Sequence, residues 1–249
     1  MLRKAFDQPK AISYKGEVDL VTESDRRAEA MILAKIRKNF PSHDVVAEEG
    51  SGSEAGSKYC WHVDPLDGTT NFAHGYPCFA VSIGLVENGE PLAGVVFDPV
   101  ANEMFTAARG EGAYLNGKPI HVSVVETLSR SLVATGFPTH QRKDSANMDY
   151  YWEFTLRTHG VRRDGSAALD LCSVAAGRFE AFWEFRLNSW DTAAGILLVR
   201  EAGGMVTDLA GQPYIAGGAA MLASNGRVHE EMRQVVAGIA ERVAKNSGR

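Results

Sequence analysis

Tyr59-Cys60-Trp61-His62-Val63-Asp64-Pro65-Leu66-Asp67-Gly68-Thr69-Thr70-Asn71-Phe72 is the stretch on which the reading of this chain turns. Tyr59 to Val63 reads as a strand that ends abruptly at Asp64. Two carboxylates three residues apart follow, and they converge if the chain turns tightly. Pro65 fixes one φ angle and Gly68 permits an unusual one, so such a turn is encoded locally. Taken by itself, D-x-x-D-G is also what an ordinary acidic surface turn looks like.

Downstream, the chain is β-rich. Phe79 to Val86 and Leu92 to Phe97 flank Asn88-Gly89, a strong hairpin signal, and Asn116-Gly117 repeats it after Glu103 to Ala107 and Ala113 to Leu115. Upstream, a helix is expected over Ser24 to Phe40. Thr22 and Asp25 form a capping pair, Ala28, Met31, Ile32 and Ile36 an apolar stripe, and Pro41 a stop. A short strand, Val45 to Ala47, runs into Glu48 and Glu49, and Gly50 to Ser57 is a small polar loop. From Ser131 the pattern changes to alternation: a strand to Gly136, helices over Ala146–Thr158 and Ala167–Ala176, and a strand over Phe179–Glu184. A helix from Asp191 to Gly203-Gly204, strands at Met205–Asp208 and near Met221, and a terminal helix from Val228 complete it. The expectation is one layered α/β (α+β) domain spanning 1–249, in two halves of about 1–130 and 131–249 with the active site between them.

Composition bounds the rest. With 249 residues, 45% hydrophobic and 23% charged, the chain is ordinary globular material with enough length for a sizeable core. Twenty-six basic residues against 31 acidic ones give −5, which supplies no general attraction to nucleic acid or anionic lipid. Cys60, Cys78 and Cys172 are odd in number and widely spaced, so reduced thiols are expected. Met1 to Lys10 has no apolar core of a secretory signal, and no stretch approaches ~18 consecutive apolar residues. A cytoplasmic protein is the expectation.

Commoner motifs fail at the acidic turn. An EF-hand loop starting at Asp64 would need Glu where Gly75 stands, and the P-loop mimic Gly112 to Lys118 is followed by Pro119. Other acids give the turn its meaning. Glu48 and Glu49 sit at a strand end, Asp191 opens a helix where an N-cap is the ordinary reading, and Asp25 has the ordinary reading of a first-turn dipole partner. Were these to converge, each pair about 4 Å apart would repel by roughly 4 kcal/mol at an effective dielectric of 20. Cations would be needed to hold the cluster ionised, and all-oxygen ligands select Mg²⁺, Mn²⁺ or Ca²⁺ over zinc.

Together, Glu48-Glu49, Asp64 to Phe72 and Trp190-Asp191-Thr192-Ala193-Ala194-Gly195 resemble the inositol monophosphatase family, most closely its bacterial inositol-1-monophosphatase type. Val18 to Asp25 resembles the family's N-terminal motif, with Lys15 matching after a one-residue gap, and Gly165-Ser166-Ala167-Ala168 its substrate loop. The resemblance implies a five-layered αβαβα sandwich, a homodimer, and lithium-sensitive, Mg²⁺-dependent hydrolysis of a small phosphorylated polyol with two or three ions per site. It implies Glu48, Asp64 and the Leu66 carbonyl as ligands of one ion, Asp64, Asp67 and Asp191 of a second, and Glu48 through water of a third. Thr69, tied to Glu48 or Asp25, would orient and deprotonate the attacking water, and the N–H groups of Gly68 and Thr69 would hold phosphate oxygens. Gly165, Ser166, Ala167 and Glu184 would receive substrate hydroxyls. Fructose 1,6-bisphosphate, NADP and histidinol phosphate are the alternative substrates; a regulatory relative touching RNA machinery is the non-catalytic alternative. Relatives carry a longer helical lead than the 14 residues before Lys15, so a shortened or missing first helix is expected. Tyr150, Tyr151, Trp152 and Phe154 read as helix core, and Arg162 and Arg163 as surface, substrate or dimer contacts.

Overall fold

Two Asn-Gly pairs place left-handed residues where hairpins need them. Asn88 (φ 50°) and Gly89 (φ 86°) join strands β5 (Ala80–Glu87) and β6 (Glu90–Asp98); Asn116 (φ 49°) and Gly117 (φ 76°) join β8 (Gly112–Leu115) and β9 (Lys118–Ile120). With β3 (Asp44–Ala47), β4 (Tyr59–Asp67) and β7 (Glu103–Ala108) they form a seven-stranded sheet in sequence order, antiparallel except for the β3–β4 pair. This is a computed structural model, describing residues 1–8, 12–14, 20–52, 55–137, 145 and 147–247. Lys15 and Asp19 of the N-terminal motif lie outside the described residues.

A second, five-stranded sheet has the order β11-β10-β12-β14-β13, from β10 (Leu132–Thr135), β11 (Gly160–Arg162), β12 (Ala181–Phe185), β13 (Met205–Thr207) and β14 (Ala220–Ser224). Its β10–β11 and β10–β12 pairs are parallel and the others antiparallel. Helices α5 (Ala167–Ala175) and α6 (Ser189–Glu201) fill the space between the sheets, where Phe182 and Ala223 of one meet Val96 and Phe105 of the other around Leu171 and Leu198. Helix α2 (Glu23–Asn39) covers the outer face of the large sheet through Leu33 and Ile36 on Val45 and Val63. Helices α4 (Asn147–Arg157) and α7 (His229–Ser247) cover the small one through Phe154, Met232 and Val236 on Val133 and Trp183. The order is αβαβα, as the resemblance implied. No helix among the described residues is long and apolar enough to cross a membrane.

Three expectations need correction. Strand β4 does not stop at Asp64 but continues to Asp67, because a bulge against β5 absorbs Pro65 and Leu66. Met31 is 57% exposed, so the stripe of α2 runs through Ala28, Leu33 and Ile36 instead. Trp152 is 63% exposed, while Tyr150 and Phe154, on the inward face of α4, are buried. Of the two alternatives for the first helix, the shortened one is found: α1 (Leu2–Phe6) has five residues, and Phe6 packs against Phe72 and Phe79 at ring separations of 5.8 and 5.0 Å. A two-stranded ladder of β1 (Ile12–Tyr14) and β2 (Leu20–Thr22) follows it.

One packing detail fixes the position of α6. Gly84 and Gly94 face each other across β5 and β6. A Cβ on Gly84 would lie 2.7 Å from the Ala193 Cβ, and one on Gly94 2.9 Å from the Ala194 Cα. The bare backbone of the sheet thus receives the helix at Ala193-Ala194. Ser82 Oγ donates to the Trp190 carbonyl at 3.2 Å, and His62 Nδ1 meets Ser189 Oγ at 2.8 Å. The first turn of α6, with Asp191, is pinned over the C-terminal half of β4.

Candidate active site

The bulge in β4 turns Asp64 inward, and the Leu66 N–H donates to its Oδ1 at 2.9 Å. Both residues are buried. Gly68 then adopts φ 95°, and a Cβ there would lie 2.9 Å from the Cys78 carbonyl, so only glycine fits. A six-residue helix that the sequence reading did not anticipate, α3 (Thr69–His74), starts at this point. Its first residue sets Thr69 Oγ1 2.9 Å from Asp25 Oδ1 and 3.0 Å from the Leu66 carbonyl, two acceptors competing for one hydroxyl proton. Asp25 is fully buried, and its Oδ2 accepts from the Thr22 N–H at 2.8 Å and from the Thr22 hydroxyl, completing the expected capping box of α2. Thr69 is thereby tied to Asp25, one of its two anticipated partners.

Glu48 follows β3, whose parallel register on β4 brings it beside Asp64. The sequence reading missed what holds this corner. Buried Glu29 of α2 accepts the N–H groups of Glu49 (2.8 Å) and Ser51 (3.3 Å), tying the strand end to the helix. Asp67 reaches the second half of the chain: its Oδ2 accepts from Ser166 Oγ at 2.6 Å and from the Ala168 N–H at 2.7 Å, at the N-terminus of α5. Asn71, quoted in the motif without a role, donates to the Asp164 and Cys78 carbonyls at 2.7 Å each and ties the Gly165 loop to the acidic turn.

Asp191 is not the N-cap of α6. Asn188 is the cap and Asp191 the third helical residue, whose Oδ2 accepts the Asn188 N–H at 2.7 Å. Glu184, buried on β12, occupies room that Gly136 leaves open, since a Cβ there would lie 2.2 Å from its carboxylate oxygens. Arg162 and Arg163 are exposed.

The electrostatics show which acids face one another. Burial pushes Asp64 well above the usual carboxylate range, and the charges of Glu48, Asp67 and Asp191 push it further. Asp191 rises to about 8, through burial first and Asp67 next. Burial also raises Asp67, against the opposing pull of its bonds to Ser166 and Ala168. Glu184 is raised well up by burial and by Asp191 and Asp67. Among the described residues no Lys or Arg is ion-paired with Asp64, Asp67 or Asp191. Nor do three His, Cys, Asp or Glu side chains among them stand in metal-holding geometry; what the acids share is charge, with Glu48, Asp67 and Asp191 all acting on Asp64. Mutually repelling, desolvated carboxylates are the donor set a hard cation fits, because only oxygens are offered and only positive charge relieves the repulsion.

A layered αβαβα chain with buried acids gathered around the bulged end of a strand, beside a polar loop at a helix N-terminus, defines a metal-dependent phosphate-ester hydrolase. A family model described as the inositol monophosphatase family matches residues 1–244, and the chain belongs to that family, whose members hydrolyse phosphate monoesters. It is 48% identical over 231 residues to the inositol-1-monophosphatase of Synechocystis sp., covering 91% of this chain and 80% of that one. It is 50% identical over 208 residues to the Nus factor SuhB of Pseudomonas aeruginosa, covering 81% and 76%. Its fold matches the inositol monophosphatase of Anabaena (Nostoc) sp. with a TM-score of 0.83 and 44% identity over 86% of each chain.

Proposed function

We propose that this chain is a Mg²⁺-dependent phosphatase hydrolysing myo-inositol monophosphates to inositol and inorganic phosphate with a metal-activated water. The observation carrying the reading is the mutual electrostatic grip of Glu48, Asp64, Asp67 and Asp191, four acids from both halves of the chain. Glu48, Asp64 and the Leu66 carbonyl would hold one ion, Asp64, Asp67 and Asp191 a second, and Glu48 a third through water. Bound there, such ions lower the pKa of water and stabilise a departing alkoxide.

The chain's own groups do the rest. Thr69, whose hydroxyl donates to Asp25, accepts the attacking water's proton on a lone pair as its own proton passes to the Asp25 carboxylate, which Thr22 already fixes. The N–H groups of Gly68 and Thr69, at the start of α3, hold phosphate oxygens. Gly165, Ser166, Ala167 and Glu184 receive the polyol hydroxyls. Since Ser166 and Ala168 also hold Asp67, substrate grip and ligand placement share one helix start. The same reading makes the chain one domain with the site between its halves, a cytoplasmic homodimer, and sensitive to lithium, which is close to Mg²⁺ in size but carries half its charge.

The test is phosphate release from myo-inositol 1-phosphate, fructose 1,6-bisphosphate, NADP and histidinol phosphate, with Mg²⁺ and with excess EDTA. Turnover fastest on the inositol ester, lost in EDTA and restored by Mg²⁺ is expected. Full turnover in EDTA overturns the mechanism, and preference for another ester overturns the substrate. Absence of turnover on all four would overturn the enzyme and leave the non-catalytic, regulatory reading.

A further inference from the structure

Beside the first two turns of α5 lies a cavity of about 160 Å³, bounded on its other side by the turn that joins β6 to β7. Its wall carries Asp98, Glu103, Asp164 and Asp170, together with Phe105 and Arg178. Arg178 does not neutralise this set, because its guanidinium forks onto Glu103 at 2.7 and 2.5 Å. Asp98 accepts the N–H groups of Val100 and Ala101 at 2.7 and 2.9 Å. Asp170 is the telling residue. It is 3% exposed, yet among the described residues neither a hydrogen-bond donor nor an ion-pair partner meets its carboxyl group; its backbone N–H donates to the Ser166 carbonyl at 3.0 Å. Burial, and then the charges of Asp164 and Glu184, push this acid well above the usual carboxylate range, so it ionises in place only when a cation reaches it through the cavity.

We propose that this cavity is a binding site for a small organic cation, a guanidinium or alkylammonium head seated among Asp98, Asp164 and Asp170 with its carbon skeleton against Phe105. Shape and chemistry both select this class. The acids are spread around the wall of a cavity of about 160 Å³, room that a bare metal ion would leave mostly empty and that a body of several heavy atoms fills. A cavity of about 150 Å³ holds a body the size of benzene, about six heavy atoms. Cys78 lines the same cavity, and burial, with the charges of Asp170 and Asp164 next, pushes its thiol up to about 12. The cavity also adjoins the substrate loop. The Asp164 carbonyl is held by Asn71, so a cation drawn to this wall rests on the segment that leads into Gly165.

The experiment is calorimetric titration of the intact, Mg²⁺-loaded protein with ethylguanidinium chloride at fixed ionic strength. One saturable site per chain is expected, weakened at least tenfold by Asp170→Asn and by Ser173→Met, which fills the cavity from α5 while leaving its acids in place. Asp98→Asn, on a different element, serves in their stead should either fail to unfold cooperatively. No saturation up to tens of millimolar, or equal affinity in the parent and the folded variants, overturns the site. A stoichiometry that falls as protein concentration rises would mean that a side chain of a second copy fills the cavity, and overturns the small-ligand assignment.

Discussion

Replacing Asp191 by Asn should stabilise the protein without metal and disable it with metal. Buried beside Asp67, Asp64 and Glu48, Asp191 titrates at about 8 in the folded chain against 3.8 when unperturbed. A folded-state acid with a raised pKa costs no stability below pH 3.8, then costs more at each unit as the unfolded chain ionises and the folded one does not. At pH 7 that lag spans about 3 pH units, and at ~1.4 kcal/mol per unit the ceiling is about 4 kcal/mol. The repulsion is shared among four acids, so about 1–4 kcal/mol is the expected gain on removing one charge. Asn keeps an oxygen that can accept the Asn188 N–H, so the helix cap survives.

The assay is thermal unfolding in EDTA and in saturating Mg²⁺, at pH 7 and pH 5. At ~2–4 °C per kcal/mol for a chain of this size, the variant in EDTA at pH 7 should melt about 2–16 °C above the parent. At pH 5 the lag is only about 1 unit, so the gap should shrink to a third or less. Mg²⁺ should lift the parent by about 3 kcal/mol at a hundredfold excess over its dissociation constant and the variant by much less. A variant less stable than the parent in EDTA at pH 7, or a gap that does not move with pH, would refute the claim that these acids repel. Equal stabilisation of both proteins by Mg²⁺ would remove Asp191 from the ligand set.

Thr69→Ala should lower kcat about a hundredfold or more with little change in KM, and Thr69→Ser should recover most of it, since only the hydroxyl beside Asp25 is at stake; steady-state kinetics on the inositol ester decide it. Glu184→Gln should cost about 5- to 150-fold in kcat/KM on inositol phosphates and much less on p-nitrophenyl phosphate, which lacks the hydroxyls; an equal drop on both would assign Glu184 to the metal site or the fold. Gly84→Val should destabilise by about 1–3 kcal/mol in urea unfolding, because its Cβ would stand 2.7 Å from that of Ala193. The helix it displaces carries Asp191, so activity should fall further than stability does, and an active, stable Gly84→Val protein would contradict the packing role.

The hairpins, the α2 cap and the acids themselves were legible because each is written in neighbouring residues: Asn-Gly for a left-handed turn, Thr22 and Asp25 three apart for a capping box. What was illegible was either short or distant. Helix α3 has six residues and β11 three, too few for a period to register. Strand β4 continues past Pro65 because a bulge, invisible to a strand template, accommodates it. Glu29, Gly136 and the Gly84–Gly94 pair have no local signature at all. A buried Glu on a helix is recognised only with the strand end it anchors, and a strand glycine only with the helix or carboxylate that occupies its missing side chain.

The acids show why the bland readings and the chemical ones did not compete. Asp25 read as a first-turn partner, Asp191 as a helix cap and Asp64-Asp67 as an acidic turn, and in each case a version of that local role is real. Asp25 commits Oδ2 to Thr22, Asp64 Oδ1 to the Leu66 N–H, Asp67 Oδ2 to the start of α5, and Asp191 Oδ2 to Asn188. A carboxylate has two oxygens and about four lone-pair positions, so one backbone bond leaves most of its accepting capacity. That bond also fixes the rotamer, which a flexible side chain in a repulsive cluster could not do for itself. Asp25 displays the division directly, with Oδ2 on the cap and Oδ1 on Thr69. Local capping is therefore the means by which this chain holds like charges face to face, and a capping signal in sequence carries no weight against a catalytic one at the same residue.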